Sequence, residues 1–367
     1  MKVLLVITGL GVGGAEHMVI GLANQLIHAG HQVDIAYLKG QPQLYINPKI
    51  KLIHLGLDHA FTLPRAVKRL RQHIKHGQYD VVHAHLFHAI LISRAVRWLE
   101  HFYLISTAHS KAIGGQARAW LYRLTDHLSD LNTNVSHEAT AHFIAEQAFS
   151  AGQSTTVVNG IDTTHFCFSE QQRVAMRTQY NIGSAPVVIA IGRFNAAKDY
   201  PNLLRAFAEV KCTHHDAQLY IIGDGELRAE IEQLVIQLEL SGTVFLMGIQ
   251  HNITEWLCMA DLLVLSSAWE GFGLVVAEAM SCERMVVATD CGGVKEVMGN
   301  LDFLVPPQQS QALAAKINHA LQLPKDERLA IGKRNRLHIQ THYSAEAALQ
   351  QWLGHYQYAI QQNVSRT

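Results

Sequence analysis

Apolar positions along the chain fall into short unbroken runs, separated by stretches in which they recur every three or four residues. Val3 to Ile7 is one such run, as expected for a strand of a parallel sheet covered on both faces. Ala15, Met18, Val19, Leu22, Ala23, Leu26 and Ile27 then follow at helical spacing, and Gly30 is placed to end that helix. The rhythm continues with strands at "QVDIAYL", "VVHAH", "YLISTAH", "NTNV" and "TVV", and restarts after residue 186 with "VVIAIG", "LYIIGDG", "VFLMG", "DLLVLS" and "MVVATD". Strand and helix alternating at this density predict parallel α/β sheets. Two series of about six strands predict two doubly wound domains, an N-terminal one over 1–165 and a C-terminal one over 166–344. The polar, less periodic stretch 162–186 lies at the break. A last helix from about Ser344 to Ile360 carries Trp352, Tyr356 and Tyr358.

The length of 367 residues suits two domains with full cores, and 49% hydrophobic against 16% charged residues describes a folded chain. Basic and acidic side chains both total 30, which argues against a nucleic-acid binder. The balance is uneven along the chain: residues 1–165 hold 14 Lys and Arg against 10 Asp and Glu, and 16 of the 23 histidines. Five scattered cysteines without a C-x-x-C pair read as buried thiols of a reducing compartment. The N-terminal run is broken by glycines and Glu16 before any secretory segment of proper length, and no stretch reaches membrane-spanning length. The expectation is a cytoplasmic protein.

Four glycines after the first strand, Gly9, Gly11, Gly13 and Gly14, include a G-x-G-x-x-G match, a pattern often read as a dinucleotide site. A nicotinamide site wants an acid at the end of the second strand; Asp34 stands near its beginning, and Leu38 and Lys39 occupy its end. Lys39 keeps an NADP reading open. Otherwise the glycines form either a plain tight turn or an anion site at a helix N-terminus.

The second half repeats strand-end chemistry. Arg193 follows "VVIAIG", with Lys198 five residues on, before a helix starting near Tyr200; two cations at a sheet's carboxyl edge suit a diphosphate. Gly223 and Gly225 stand at a similar turn. Glu270 lies in the loop after "DLLVLS"; Gly271, Phe272, Gly273 and Leu274 lead into a helix, and Glu278 falls about one turn inside it. A carboxylate beside a ribose or sugar accepts from paired hydroxyls, while N–H groups at a helix start take phosphate. Apolar flanks at Ala277, Ala279 and Met280 make an unpartnered Glu278 costly as a merely structural residue.

The spacing Glu270-x(7)-Glu278 within "EGFGLVVAEAM" resembles the E-x(7)-E signature of retaining glycosyltransferases of family 4. "GVGGAE", "VVNGID" and "GRFNAAKDY" resemble that family's glycine-rich loop, pre-linker segment and phosphate clamp in the same order. The resemblance spans the chain and implies a GT-B fold, with two Rossmann-like domains facing across a cleft and the terminal helix, 345–367, packing back on the first. It implies that Arg193 and Lys198 neutralise the leaving diphosphate and that Glu270 holds donor-sugar hydroxyls. Gly271, Phe272, Gly273 and Leu274 then offer backbone N–H groups, and Glu278 binds ribose. Gly223 and Gly225 touch the nucleotide, while Gly13, Gly14 and His109 approach phosphate and sugar from the first domain.

No D-x-D occurs in the sequence, so no cofactor or metal is expected beyond a nucleoside-diphosphate sugar, with a UDP-sugar favoured. The acceptor class the family implies is a glycan or lipid-linked glycan of a bacterial surface polysaccharide such as lipopolysaccharide. An NAD(P)-dependent oxidoreductase and a GT-B-fold epimerase or sugar-nucleotide-binding protein stand as alternatives. His83, His85 and His88 spell H-x-H-x-x-H, a possible metal set without an acidic or cysteine partner close by. The basic helix expected over 63–77, with Arg65, Lys68, Arg69, Arg71 and Lys75 around an apolar stripe, is either a solvated face or a contact with the anionic inner membrane.

Overall fold

A computed structural model describes residues 1–11 and 13–366. The chain forms two compact units, Met1–Gly160 with Glu346–Thr367, and Ile161–Ala345. The division falls at Gly160, a few residues before the end of 1–165. Ile161 accounts for this: its N–H donates to the Tyr343 carbonyl at 2.8 Å and its carbonyl accepts from Ala345 at 2.9 Å, which ties it to the second unit.

In the first unit the strands are β1 (Lys2–Ile7), β2 (Gln32–Tyr37), β3 (Lys51–His54), β4 (Val81–His85), β5 (Leu104–Thr107), β6 (Leu131–Asn134) and β7 (Ser154–Thr156). They form one parallel sheet in the order β3-β2-β1-β4-β5-β6-β7. The helices are α1 (Gly14–His28), α2 (Leu63–Gly77), α3 (Phe87–Arg97), α4 (Gln116–Thr125) and α5 (His137–Ala145). Alternation along β1 sends Leu4 and Val6 into a core with α2 and α3, and Val3, Leu5 and Ile7 into a core with α1. The final helix of the chain, Ala345–Arg366, closes this second core with Trp352, Tyr356 and Ala359.

In the second unit α6 (Glu170–Gln179) comes first, then β8 (Val187–Ile191), α7 (Tyr200–Thr213), β9 (Gln218–Ile222), α8 (Arg228–Gln237), β10 (Val244–Leu246) and α9 (Ile253–Met259). They are followed by β11 (Leu262–Leu265), α10 (Leu274–Ser281), β12 (Met285–Thr289), α11 (Val294–Met298), β13 (Leu304–Val305), α12 (Ser310–Gln322) and α13 (Lys325–His342). The terminal helix is therefore α14. The sheet order β10-β9-β8-β11-β12-β13 repeats that of the first six strands of the first unit. This is the Rossmann order, in which the strand order reverses between β1 and β4 and again between β8 and β11 while the strands stay parallel, leaving a crevice at their carboxyl ends.

Several expectations need correction. The stretch 162–186 is not only linker, because α6 forms inside it, opened by Ser169 whose side chain accepts the Gln172 N–H. β3 and β13 carry no strong apolar run: β3 is mostly exposed at the sheet edge, and β13 has two residues. All cysteines of the chain are free, but Cys212 is exposed and Cys167 half-buried, so only Cys258, Cys282 and Cys291 are buried thiols.

Candidate functional site

The second unit gathers its chemistry at the β8/β11 switch point. Past β8 the chain turns through Gly192, and the loop zips to the loop after β9: Phe194 N–H donates to Asp224 O and Leu227 N–H to Phe194 O, each at 3.0 Å. A Cβ on Gly223, which sits at φ +139, would overlap the Gly192 carbonyl, and one on Gly225 would overlap the Phe194 backbone. These two glycines are therefore required by the fold itself.

Arg193 stands in solvent with its side chain 66% exposed, its guanidinium 3.2 Å from Glu226. Such a pair contributes little to stability and is readily exchanged for a stronger anion. Lys198 ends a short 3-10 turn capped by Asn195, whose side chain accepts the Lys198 N–H. Its ammonium lies 2.6 Å from Glu270 Oε1, with the two side chains only 19% and 15% exposed. Ser267 Oγ donates to the same oxygen at 2.7 Å, and Thr289 Oγ1 donates to the Ser267 carbonyl at 2.6 Å. Ser267, Thr289 and Glu226 were not singled out by sequence; small hydroxyl residues at strand ends carry no spacing signal.

The Glu270 loop is backed by the loop after β12. A Cβ on Gly292 would overlap the Glu270 carbonyl, and Gly293 N–H donates to Gly271 O at 3.1 Å. Phe272 is buried, edge-on to Tyr343 at 5.6 Å. Gly273, at φ +86 and ψ 51, turns the chain into α10 through the left-handed region that favours glycine. Leu274 opens the helix; Val276 N–H donates to the Gly273 carbonyl at 2.9 Å, while the N–H groups of Leu274 and Val275 come too early in the helix for a carbonyl four residues back. Glu278 sits one turn in, partly open to solvent but enclosed by buried Ala277, Ala279 and Met280. Its carboxylate makes no hydrogen bond among the described residues. Burial raises its pKa to about 7, with the Lys198 charge opposing. A carboxyl poised between charge states and lacking a donor suits a ligand that brings hydroxyls.

In the first unit, Gly13 caps α1 in extended geometry and Gly14 begins it. A Cβ on Gly9 would approach nothing closer than the Lys39 carbonyl at 3.4 Å, and one on Gly11 nothing closer than Gln43 Oε1 at 3.7 Å. Neither is at positive φ, so the unit's own fold does not demand glycine there. Val12, within the same turn, lies outside the described residues. Asp34 is buried in β2 and accepts from Tyr79 Oη at 2.6 Å. It is already engaged and is not at the strand end where a ribose-binding acid would stand.

His109 follows β5, and His85 ends the neighbouring β4. His85 Nδ1 and His109 Nε2 are 3.1 Å apart. His83 lies tilted against His85 with centroids 3.9 Å apart and bonds Thr107 Oγ1 at 2.6 Å and Tyr356 Oη at 2.8 Å. Burial depresses all three imidazoles, His109 to about 3. His88 is exposed on α3, so H-x-H-x-x-H does not bring its three rings together. His109 is the third ring instead, and no group of three metal-ligating side chains occurs among the described residues. The missed signal was topological: a strand ending in His85 lies beside one followed by His109.

Paired Rossmann-ordered units with polar strand-end constellations at both switch points define the GT-B class of glycosyltransferase. The likeness to solved structures supports that fold. Sucrose-phosphate synthase of Thermosynechococcus elongatus superposes with a TM-score of 0.87 at 23% identity, covering 100% of both chains. HepE of Anabaena, solved in complex with UDP-glucose, superposes with a TM-score of 0.82 at 21% identity, again over 100% of both. N-acetyl-alpha-D-glucosaminyl L-malate synthase of Bacillus anthracis is 28% identical over 364 residues, 94% of this chain and 92% of its own. Two family models match in tandem, Glycosyltransferase Family 4 over residues 12–165 and Glycosyl transferases group 1 over residues 173–338. The chain belongs to the family 4 glycosyltransferases.

Proposed function

We propose that this protein is a retaining glycosyltransferase that moves a hexosyl or N-acetylhexosaminyl group from a UDP-sugar to a hydroxyl of a glycan or lipid-linked glycan, in bacterial surface polysaccharide assembly. The observation that carries this reading is Lys198 held 2.6 Å from Glu270 at the β8/β11 switch point, close enough to Glu278 for its charge to oppose that group's raised pKa. In this reading Glu278 accepts from the ribose hydroxyls. The amides of Gly271, Phe272, Gly273 and Leu274 serve sugar and phosphate, and Arg193 leaves Glu226 to join Lys198 on the diphosphate. Glu270, freed from part of its Lys198 contact, accepts from donor-sugar hydroxyls. Gly223 and Gly225 act by bringing two loop backbones together beside the nucleotide. In the first unit, Gly13 and Gly14 at the start of α1 offer backbone N–H groups to a phosphate, and His109 serves a sugar as a neutral hydrogen-bonding group.

Charge developing on the leaving phosphate is stabilised by fixed cations and helix amides, so the reaction needs no metal. Attack from the donor's front face, with the leaving phosphate oxygen taking the acceptor proton, retains configuration without a carboxylate nucleophile. The UDP reading is supported by HepE's complex with UDP-glucose, and the amino-sugar reading by the name of the Bacillus anthracis relative. The glycines at 9 and 11, which their own unit does not require, fit close approach by a ligand.

Membrane contact through α2 belongs to the same proposal. Arg65, Lys68 and Lys75 are exposed, while Arg69 turns inward to the Leu55 carbonyl and Arg71 pairs with Glu100. Phe61 and Leu63 stand exposed at the start of the helix. No helix of the described residues is long and apolar enough to cross a membrane, so attachment would be peripheral, on the cytoplasmic face. Assay of sugar transfer in chelator, with the product's anomeric configuration read by NMR, tests the reaction. Retained configuration without metal is expected; inversion, or loss of activity in chelator, contradicts it. Arg193→Ala and Lys198→Ala are expected to lower turnover more than donor affinity, which steady-state and binding measurements separate.

A further inference from the structure

His85 is fully enclosed at the end of β4, and its Nε2 has no hydrogen-bond partner among the described residues. Its ring cannot easily turn to find one. His83 lies against it at 3.9 Å, itself fixed by Thr107 and Tyr356 and covered by Trp352 at 4.5 Å. The next residue, Leu86, sits at φ +71 and ψ 156 and donates its N–H to the Thr107 carbonyl at 3.1 Å. That is a backbone region a leucine normally avoids, and such strain persists where surrounding structure holds the residue in place. Among the described residues, the one side-chain polar contact left to His85 is Nδ1 to His109 Nε2 at 3.1 Å.

Two neutral imidazoles sharing one hydrogen bond have two proton arrangements. If His109 donates from Nε2, then His85 carries its proton on Nε2 and buries an N–H with no acceptor. If His85 donates from Nδ1, its Nε2 is a bare lone pair, and His109 carries its proton on Nδ1. Orphaned buried N–H groups are rarer than under-satisfied acceptors, so the second arrangement prevails. We propose that His85 is a positioning residue that locks His109 in the Nδ1–H tautomer, so that His109 offers substrate a neutral hydrogen-bond donor for a sugar hydroxyl or phosphate oxygen. Both rings stay uncharged: burial dominates, and the titratable groups bearing on the cluster are His83, His355 and the Tyr356 hydroxyl. The substrate class rests on the transferase reading above; the tautomer does not.

The test is long-range proton–nitrogen NMR of the full chain labelled with 15N-histidine, with His109 assigned by loss of its signals in His109→Gln. Expected are a protonated Nδ1, a bare Nε2 and no titration between pH 5 and 8. In His85→Phe, which keeps an aromatic ring without nitrogens, His109 is expected to shift towards the Nε2–H form. In His85→Asn, whose side-chain N–H replaces that of Nδ1, the Nδ1–H form returns. A wild-type His109 protonated on Nε2, or a tautomer indifferent to His85→Phe in a folded variant, overturns the proposal; if that variant does not fold, the wild-type spectrum decides. For sugar transfer, His85→Phe is expected to lose about tenfold in kcat/KM with UDP affinity unchanged, and His85→Asn to recover most of it. Because the spectrum needs no substrate, failure of the transferase assay leaves the tautomer result standing, and the reverse holds.

Discussion

At the scale of single residues, Glu278 is the group whose charge state the fold disturbs most usefully. Its proton is held more tightly in the folded protein than in the unfolded chain, from 4.5 to about 7. Stability of the ligand-free protein therefore falls as pH rises through that window, since the ionised form is favoured less by the fold than by water. Glu278→Gln, which mimics the protonated state, is expected to match wild type in Tm near pH 5 and exceed it by about 3 °C or more at pH 8. Thermal unfolding at the two pH values checks this, and a difference independent of pH contradicts it. The glycines give a second contrast. Gly223→Ala forces a Cβ into the Gly192 carbonyl at positive φ and is expected to cost several kcal/mol, seen as a large drop in Tm or insoluble protein. Gly11→Ala has room and is expected to leave Tm within about 2 °C while weakening transfer; equal thermal effects of the two would contradict the assignment. Sequence made Lys198, Glu270 and Glu278 legible because their positions follow strand ends and one helical turn. It missed Ser267, Thr289 and the His85–His109 bond because those contacts depend on which strands become neighbours.

At the scale of elements, α14 is the one whose role spacing could only partly express. Trp352, Tyr356 and Ala359 recur along one face, which marks a buried stripe but not its destination. In the fold they complete the core of β1 and α1, and Tyr356 reaches His83. Trp352→Ala is expected to cost about 3–5 kcal/mol in denaturant unfolding. Tyr356→Phe, losing only the hydroxyl, is expected to cost about 1–3 kcal/mol because it strips a buried imidazole of its partner. Similar small losses for both variants would mean that α14 is loosely held. The strands most readable in advance, such as β1, β4, β11 and β12, are those buried on both faces. β3 escaped notice because an exposed edge strand needs no apolar run, and β13 because two residues make no pattern. α6 was hidden by its composition, since only Met176 along it is buried.

At the scale of the whole molecule, two sheets of the same Rossmann order each bring polar side chains and glycine turns to a switch point, which sequence conveyed through rhythm and motif order together. Net charge near zero conceals the basic face of α2. Vesicle flotation is expected to show binding to anionic but not neutral lipid, weakened by Arg65→Glu with Lys68→Glu and by salt above the physiological range; equal recovery with neutral vesicles, or none with anionic ones, contradicts a charge-driven contact. The central claim is that the second unit grips a nucleoside diphosphate through Lys198, Arg193 and Glu278. Its most direct test is thermal unfolding of the full chain in chelator with UDP, GDP, ADP, NAD or NADP. A ligand at 100 times its Kd stabilises by about 2.7 kcal/mol, well within detection. The account expects stabilisation by UDP, lost in Glu278→Ala. Stabilisation by NAD or NADP alone, or a UDP shift that survives Glu278→Ala, would contradict it.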